Sequence, residues 1–482
     1  KIVHCHGCFD LLHPGHIRHF EAAKKMGDIL VVTVTPDKFV EKGPGRPVFN
    51  QDLRLESIAA LNVVDYVALN KWETAIETIR ILKPDIYVKG SDYADREKDV
   101  TGKIYLEEDT IKSVGGEIRF TDEITFSSTE LINTNFDILS EKAKHFLNGF
   151  RKKYDAEQII DIIKTLSNLK VLIIGDAIID DYSYCRAMGK VEKSPIVSCK
   201  YLNTELFAGG SLAIANHITE FSDNVTLITC LGKMDDKEDF IKEKLNPKIR
   251  SRFFYRDDAP TIVKKRYIEW FNNTKMFEIY FFDDTPIQEQ IENDIINYIN
   301  GVIKDFDLVL VADFGHGLIT QPIIDIIIEK GKFIGVNAQT NSGNFGYNLI
   351  TKYKNVNYIQ VDERELRLPF RDKFGDTKKL IQDLREITNC NRINVTLGTR
   401  GCHYFQDGLY YYIPVFSDRI VDTVGAGDAV LSITSMLACK GVKPNIIPFV
   451  SNCTGAWAVK ILGNKEPVNP ISLYKFIKSI LR

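Results

Sequence analysis

Two glycine-bearing strand–loop–helix junctions, one near each end of a 482-residue chain, constrain the fold more than any other feature. Near the start a hydrophobic run meets Gly7-Cys8-Phe9-Asp10-Leu11-Leu12-His13-Pro14-Gly15-His16. Near the end Asp422-Thr423-Val424-Gly425-Ala426-Gly427-Asp428 leads into an apolar helical run, Ala429 to Lys440. Small residues at a helix start expose N–H groups, and the helix dipole adds to their attraction for phosphate. Such loops belong at the carboxyl edge of a parallel sheet. A chain of this length exceeds one ordinary core, so each loop is expected in its own α/β domain.

Hydrophobic periodicity supports that division. Ile2–His6, Ile29–Thr35, Tyr66–Leu69 and Ile86–Val88 read as strands, and Ile17–Met26, Leu53–Leu61 and Thr74–Lys83 as helices. Their alternation implies a parallel sheet covered by helices. From Thr134 to Asn168 the pattern turns helical, with Phe136, Leu139, Ala143, Phe146, Leu147 and Phe150 at helical spacing and a second helical run from Ala156 to Leu166. A new strand opens at Leu169, and strand-like runs recur at 225–229, 308–312, 333–336 and 393–397. The expected organisation is a domain over 1–133, a packed helical connector over 134–168 and a large α/β domain over 169–482. The connector's apolar stripe can also serve as a dimer seam, and a homo-oligomer, a dimer first, is expected.

The net charge of −3 gives no reason to expect nucleic acid or an anionic membrane as partner. No apolar run reaches the length of a membrane span, and no signal-peptide pattern opens the chain, so a cytoplasmic location is expected. Nine scattered cysteines form no disulfide framework. His4, Cys5, His6, Cys8, His13 and His16 crowd together, but strand alternation separates neighbours and no second pair follows at zinc spacing. Buried strand positions are the expected role of Cys5 and Cys8.

In the first junction His13 and His16 flank a Pro-Gly turn at a helix start. Displacement at an α-phosphate builds charge on its non-bridging oxygens, and paired imidazoles there can donate hydrogen bonds to it. Lys42, Arg46 and Arg54 would neutralise a triphosphate. Together with Val88-Lys89-Gly90-Ser91-Asp92-Tyr93 and Ser127-Ser128-Thr129, these motifs make residues 1–133 resemble the cytidylyltransferase-like family of Rossmann-like nucleotidyltransferases. The resemblance implies that the backbone near Cys8 and Phe9 and the two histidines hold the triphosphate. It implies that Lys42 serves in catalysis and that Arg46, Arg54, Lys89, Gly90, Ser127, Ser128 and Thr129 bind nucleotide. The family's glycerol-phosphate enzymes carry an arginine shortly before the Ser/Thr turn. Here that stretch is Thr121-Asp122-Glu123-Ile124-Thr125-Phe126, closer to the heptose-type branch, so ATP and CTP both stay open.

In the second junction Asp428 is placed to take a proton from an attacking hydroxyl while the Gly425-Ala426-Gly427 amides receive the migrating phosphoryl group. With Asp176 and Asp180, Gly209-Gly210, Asp313, and Gly398 and Gly401, residues 169–482 resemble the PfkB, ribokinase-like sugar kinases. The resemblance implies ATP with Mg²⁺ or a similar divalent cation, Asp428 as base, and Gly398, Gly401, Gly425, Ala426 and Gly427 around the nucleotide. It implies a sugar site from Asp176, Asp180, Gly209, Gly210, Asn216 and Asp313, with Asp362 and Glu365 acting on the metal indirectly. Three positions depart from the pattern: Ala213 stands where an asparagine touches the sugar, Asn337-Ala338-Gln339 lacks an aspartate, and Asp362 replaces the asparagine of an Asn-x-x-Glu element.

The expectation is a bifunctional enzyme of nucleotide-sugar synthesis, with nucleoside triphosphates and a sugar phosphate as its small-molecule partners. One domain phosphorylates a sugar or sugar phosphate. The other transfers CMP or AMP to a sugar phosphate with release of pyrophosphate. The alternative is a nucleotidyltransferase whose kinase-like half only binds ligand or dimerises.

Overall fold

The computed structural model describes residues 1–40, 43–90, 103–121, 139–417 and 420–482. Two compact units result, Lys1–Glu157 with Ile471–Arg482, and Gln158–Pro470. The last helix, Pro470–Leu481, thus groups with the first unit, whereas the sequence pattern ran the second domain to Arg482. Helix Glu141–Arg151 of the expected connector packs within the first unit through Ala143, Leu147 and Phe150. Arg151 donates to the Ile480 carbonyl at 2.7 Å, tying that helix to the last one.

The first unit is built on a parallel sheet of β1 (Ile2–Gly7), β2 (Ile29–Val34), β3 (Tyr66–Leu69), β4 (Ile86–Gly90) and β5 (Glu117–Thr121). Their spatial order is β3-β2-β1-β4-β5. Strand order therefore reverses between β1 and β4, which opens a crevice at their carboxyl ends. Val3, Cys5, Leu30, Val32 and Val88 pack with Phe20 of helix Pro14–Lys24 into the core.

The second unit holds a nine-stranded sheet. In chain order its strands are β6 (Lys170–Gly175), β9 (Asn224–Gly232), β10 (Arg250–Arg256), β13 (Leu308–Asp313), β14 (Ile334–Ala338), β15 (Tyr358–Asp362), β16 (Arg392–Thr396), β17 (Cys402–Gln406) and β18 (Leu409–Ile413). The spatial order is β10-β9-β6-β13-β14-β15-β16-β17-β18, and only β17 runs antiparallel to its neighbours, β16 and β18. Here the order reverses between β6 and β13. A separate four-stranded sheet, β12-β11-β7-β8, is formed by β7 (Ala177–Lys190), β8 (Val197–Gly210), β11 (Ile262–Glu269) and β12 (Thr274–Phe281). Its inner ends carry Asp180, Gly209 and Gly210, so this second sheet brings polar side chains to the carboxyl edge of the first. It also leaves an exposed face of Tyr201, Phe277, Ile279 and Phe281.

Candidate functional sites

In the first unit the loop after β1 lies at the β1/β4 reversal. His13 caps helix Pro14–Lys24: its Nδ1 accepts from Gly15 N–H at 3.1 Å, which leaves Nε2 as the proton-bearing nitrogen of the neutral ring. The His13 and His16 rings stack with centroids 3.9 Å apart, and Phe9 meets His16 edge-on at 5.5 Å. The paired imidazoles thus stand at a helix N-terminus, a geometry suited to an oxyanion.

The loop is held from behind. Phe9 and Leu11 have φ of 49° and 52°, a left-handed conformation unfavourable for residues with a Cβ. The Asp10 carboxylate opposes that strain by accepting from Val48 N–H at 2.9 Å and from Phe49 N–H at 3.1 Å. Arg54 does the rest, and here the sequence expectation is corrected. It is 1% exposed, and every N–H has an acceptor inside the protein. Nε donates to the Phe49 carbonyl at 3.0 Å, Nη1 to the Cys8 carbonyl at 2.6 Å and more weakly to Cys8 Sγ, and Nη2 to the Thr35 carbonyl at 2.9 Å and to Asp37. Arg54 is therefore a clamp on the loop rather than a phosphate ligand.

Arg46 is half-buried near Asp10 and Cys8; burial lowers its pKa and their charges oppose that. Lys89 sits at the end of β4 beside β1, paired with buried Glu107 at 2.9 Å, and Gly90 follows it. Cys5 and Cys8 are buried, the Cys5 thiol pushed well up by that burial. His4 and His6 both hydrogen-bond Thr33 Oγ1, at 2.8 and 2.9 Å, and burial followed by the Lys89 charge lowers both, His4 to about 3. Among the described residues no group of three or more His, Cys, Asp or Glu side chains is arranged to hold a metal. Lys42, Ser127, Ser128 and Thr129 lie outside the described residues.

In the second unit Asp176 follows β6 at the β6/β13 reversal and accepts from Phe314 N–H at 3.0 Å. Burial, then the charge of Asp313, pushes its carboxyl up to about 7. Asp180, on β7, is gripped by Arg266 and by Asn464 Nδ2 at 3.1 Å. Gly209 lies against it so closely that a Cβ there would overlap the Asp180 carboxylate. Asp428, in the first turn of helix Ala426–Cys439, is buried, and no described residue hydrogen-bonds its carboxylate. Burial, then Asp180, raises it to about 7, against the pull of Lys264. A carboxyl poised near neutrality beside open helix amides can accept a proton at ordinary pH.

The loop before that helix is anchored by Asp422, to which the sequence reading gave no role. It accepts from Tyr182 Oη at 2.9 Å, from Gly463 N–H at 3.0 Å and from Lys275. Burial raises its carboxyl, but those donors outweigh it and leave it below the ordinary range. Gly425, with φ of 81°, is packed against Asn464 Oδ1 so that no side chain fits. Gly398 and Gly401 bound the turn from β16 to β17 with φ of 59° and 99°.

Two sugar-side expectations are corrected by their hydrogen bonds. Asp313 is committed to Gly315 N–H at 2.9 Å, Tyr353 Oη at 2.6 Å, Asn348 Nδ2 at 3.1 Å and Lys352, so it builds the turn after β13. The Asn216 amide donates to the Lys244 carbonyl and accepts from Asn246 N–H, bracing the end of a neighbouring helix. Asp362 and Glu365 form a capping box: Glu365 N–H donates to Asp362 and Asp362 N–H to Glu365, both at 2.8 Å. Burial, then Asp362, raises Glu365 to about 8.

Sequence reasoning gave no role to Lys264, Arg266 or Asn464. For the first two the strand period placed both on one face, but only the pairing of β11 with β7 sets Lys264 opposite Asp180. Asn464 had no such signal, because only folding brings its loop to Asp180.

Comparison with known proteins accords with this geometry. Residues 168–433 match the pfkB family of carbohydrate kinases, more than half of the chain. The chain belongs to that family. Residues 4–134 match the cytidylyltransferase-like family, so the two domains stand in that order in one protein. The bifunctional protein HldE of Gluconobacter oxydans is 45% identical over 131 residues, which is 27% of this chain and 26% of that protein. HldE of Trichlorobacter lovleyi is 40% identical over 131 residues, 27% and 25% of the two chains. The chain thus spans about a quarter of the length of these curated relatives. Phosphofructokinase-2 of Escherichia coli, solved with fructose-6-phosphate, superposes with a TM-score of 0.51 at 11% identity, over 64% of this chain and 99% of that one. Ribokinase of Thermotoga maritima gives 0.50 at 16% identity over the same shares. At such identities the likeness shows the fold, a ribokinase-like α/β unit following a Rossmann-type one. Among the described residues no helix is long and apolar enough to cross a membrane.

Proposed function

We propose that this chain is a bifunctional enzyme of nucleotide-sugar synthesis that acts in the cytoplasm. The carrying observation is that each unit presents its own phosphate-binding loop, the stacked His13 and His16 in one and Asp428 beside open helix amides in the other. In the first unit a sugar phosphate oxygen attacks the α-phosphorus of ATP or CTP. The bond to the β-phosphate oxygen breaks, and pyrophosphate leaves. His13 and His16 donate to the charge developing on the α-phosphate, with Lys42, Arg46, Lys89, Gly90 and the turn at Ser127, Ser128 and Thr129 around the nucleotide by resemblance. The HldE relatives, bifunctional by name, match over 131 residues in the N-terminal region.

In the second unit a hydroxyl of a sugar or sugar phosphate attacks the γ-phosphorus of ATP. Its proton passes to Asp428, the bond to the β-phosphate oxygen breaks, and ADP leaves. Asp176, Asp180, Gly209 and Gly210 border the acceptor, and Gly398, Gly401, Gly425, Ala426 and Gly427 the nucleotide. The nucleotide is taken as its complex with Mg²⁺ or a similar divalent cation. Asp362 and Glu365 would act on that ion indirectly, from within their capping box, and no step is routed through it. The exposed apolar face of the four-stranded sheet supports a homodimer.

The test is purified protein with ATP and CTP against a panel of sugar phosphates, following pyrophosphate and ADP separately. His16→Ala should lower pyrophosphate release about a hundredfold, because losing one preorganised oxyanion donor costs roughly 3 kcal/mol. Unchanged release would refute the transferase assignment. If no acceptor in the panel yields ADP, the second unit is a ligand-binding or dimerisation module.

A further inference from the structure

The basic loop of the first unit, residues 43–49, is held at both ends by residues distant in sequence. It carries Arg46, half-buried near Asp10 and Cys8. At its far end the Val48 and Phe49 N–H groups donate to the Asp10 carboxylate at 2.9 and 3.1 Å, which ties it to the histidine loop. At its near end Gly43 is buried, with φ of 104°. A Cβ there would overlap the Ser479 hydroxyl and stand 2.9 Å from Ser479 Cβ, so the backbone approaches helix Pro470–Leu481 as closely as glycine allows.

That helix is built to be approached. Leu473, Ile477 and Ile480 form one buried stripe, and Ser472, Phe476 and Ser479 a second, each at spacing i, i+4, i+7. A helix lying on a surface buries one stripe, whereas this one is covered on two sides. Ser479 is 6% exposed, and its small side chain leaves the room that Gly43 takes. The helix is also fixed independently of the loop. Arg151 donates to the Ile480 carbonyl at 2.7 Å, and Lys478 pairs with Glu157 at 3.2 Å. The Glu73 carboxyl, lowered first by its hydrogen bond from Lys103, also feels the Lys475 charge. Three separate segments of the first unit thus hold the helix, and the loop settles against it.

We propose that Ser479 is a positioning residue for the reaction of the first unit: helix Pro470–Leu481 is the wall that sets Gly43, and through it Arg46, against the triphosphate. This rests on the reading of that unit as a nucleotidyltransferase and deepens it. The span that matches the cytidylyltransferase-like family, residues 4–134, lacks this wall, which the chain supplies from more than three hundred residues further on. Held by Asp10 alone, the loop pivots about Val48, and a misplacement of ~1 Å costs on the order of a hundredfold in rate.

The test uses the full chain with ATP or CTP and a sugar phosphate that supports pyrophosphate release. Ser479→Leu keeps helix propensity and removes the space for Gly43. It should raise KM for the nucleotide at least tenfold, because the displaced loop carries charge that meets the triphosphate before the chemical step. Partial unfolding alone would lower the apparent kcat and leave KM unchanged. Gly43→Ala should raise KM likewise, and adding Ser479→Gly should recover part of the loss by restoring the space. A wild-type KM in Ser479→Leu, or a Gly43→Ala defect that Ser479→Gly leaves untouched, overturns the inference. If Ser479→Leu abolishes the melting transition of the first unit, the Gly43→Ala pair decides. Hydrogen exchange over residues 43–49 separates this inference from the reading beneath it, since it needs no turnover. Faster exchange in Gly43→Ala, slowed again by Ser479→Gly, in a protein that releases no pyrophosphate with any acceptor would keep the wall and remove the transferase. Pyrophosphate release with unchanged exchange and KM in these variants would keep the transferase and remove the wall.

Discussion

Replacing Arg54 by methionine separates a clamp from a ligand. Methionine retains most of the apolar stem and removes all five N–H donors. Three carbonyls and one carboxylate then lose their partner. The buried Cys8 carbonyl has nothing to replace it, a loss of about 1–3 kcal/mol. The half-buried Phe49 and Thr35 carbonyls can turn to water and lose roughly 0.5–1 kcal/mol each. Asp37 is 37% exposed, so its ion pair adds at most ~1 kcal/mol. The sum, about 4 kcal/mol, should lower the melting transition of the first unit by roughly 10 °C in calorimetry and leave that of the second unit in place. Freed at Cys8, the strained loop carrying His13 and His16 loses its register, and a misplacement of ~1 Å costs on the order of a hundredfold in turnover. The kcat for pyrophosphate release should therefore collapse with little change in KM for the nucleotide. A large rise in KM with an unshifted first transition would mean that the guanidinium reaches the phosphates itself, and the clamp would be refuted.

Three further outcomes follow from the second unit and the last helix. Phosphorylation should climb with pH toward about 7 and then level, because Asp428 must be ionised to accept a proton; Asp428→Asn should keep ATP binding and lose about 10²–10⁴-fold in rate, and a rate independent of pH in the wild type would exclude Asp428 as base. Glu365, raised to about 8 from an ordinary 4.5, favours the folded state fully below pH 4.5 and loses that contribution as pH rises through 8. Glu365→Gln preserves the capping box and should flatten the decline in stability of the second unit across that window, measured by urea denaturation; an unchanged slope would refute it. Removing Ile471–Arg482 should lower the transition of the first unit and not the second, since Arg151 and Glu157 lose Ile480 and Lys478 as partners.

Much of this was legible along the chain because it is local. The 2.0 and 3.6 periods of β1 through β4 and their intervening helices, the Pro-Gly turn after His13, and the glycines before Asp428 are all short-range signals, and each fell within a few residues of the observed element. What stayed hidden depends on distant partners. Arg54 and Arg46 are both basic residues near one loop, and only packing separates a guanidinium whose every N–H is met from one that is half-buried beside Asp10 and Cys8. Asp313 and Asp428 each border the second site, yet Tyr353, Lys352 and Asn348 fill the coordination of the first and no described residue hydrogen-bonds the carboxylate of the second. The four-stranded sheet joins β7 to β11 across eighty residues of sequence, so no local period announces that Lys264 will lie opposite Asp180. Local pattern along the chain is enough to specify two α/β units and the two loops that can hold phosphate. Tertiary structure alone decided which charges are neutralised from within and which remain for a ligand, because that depends on which side chains long-range pairing brings within about 3 Å of one another.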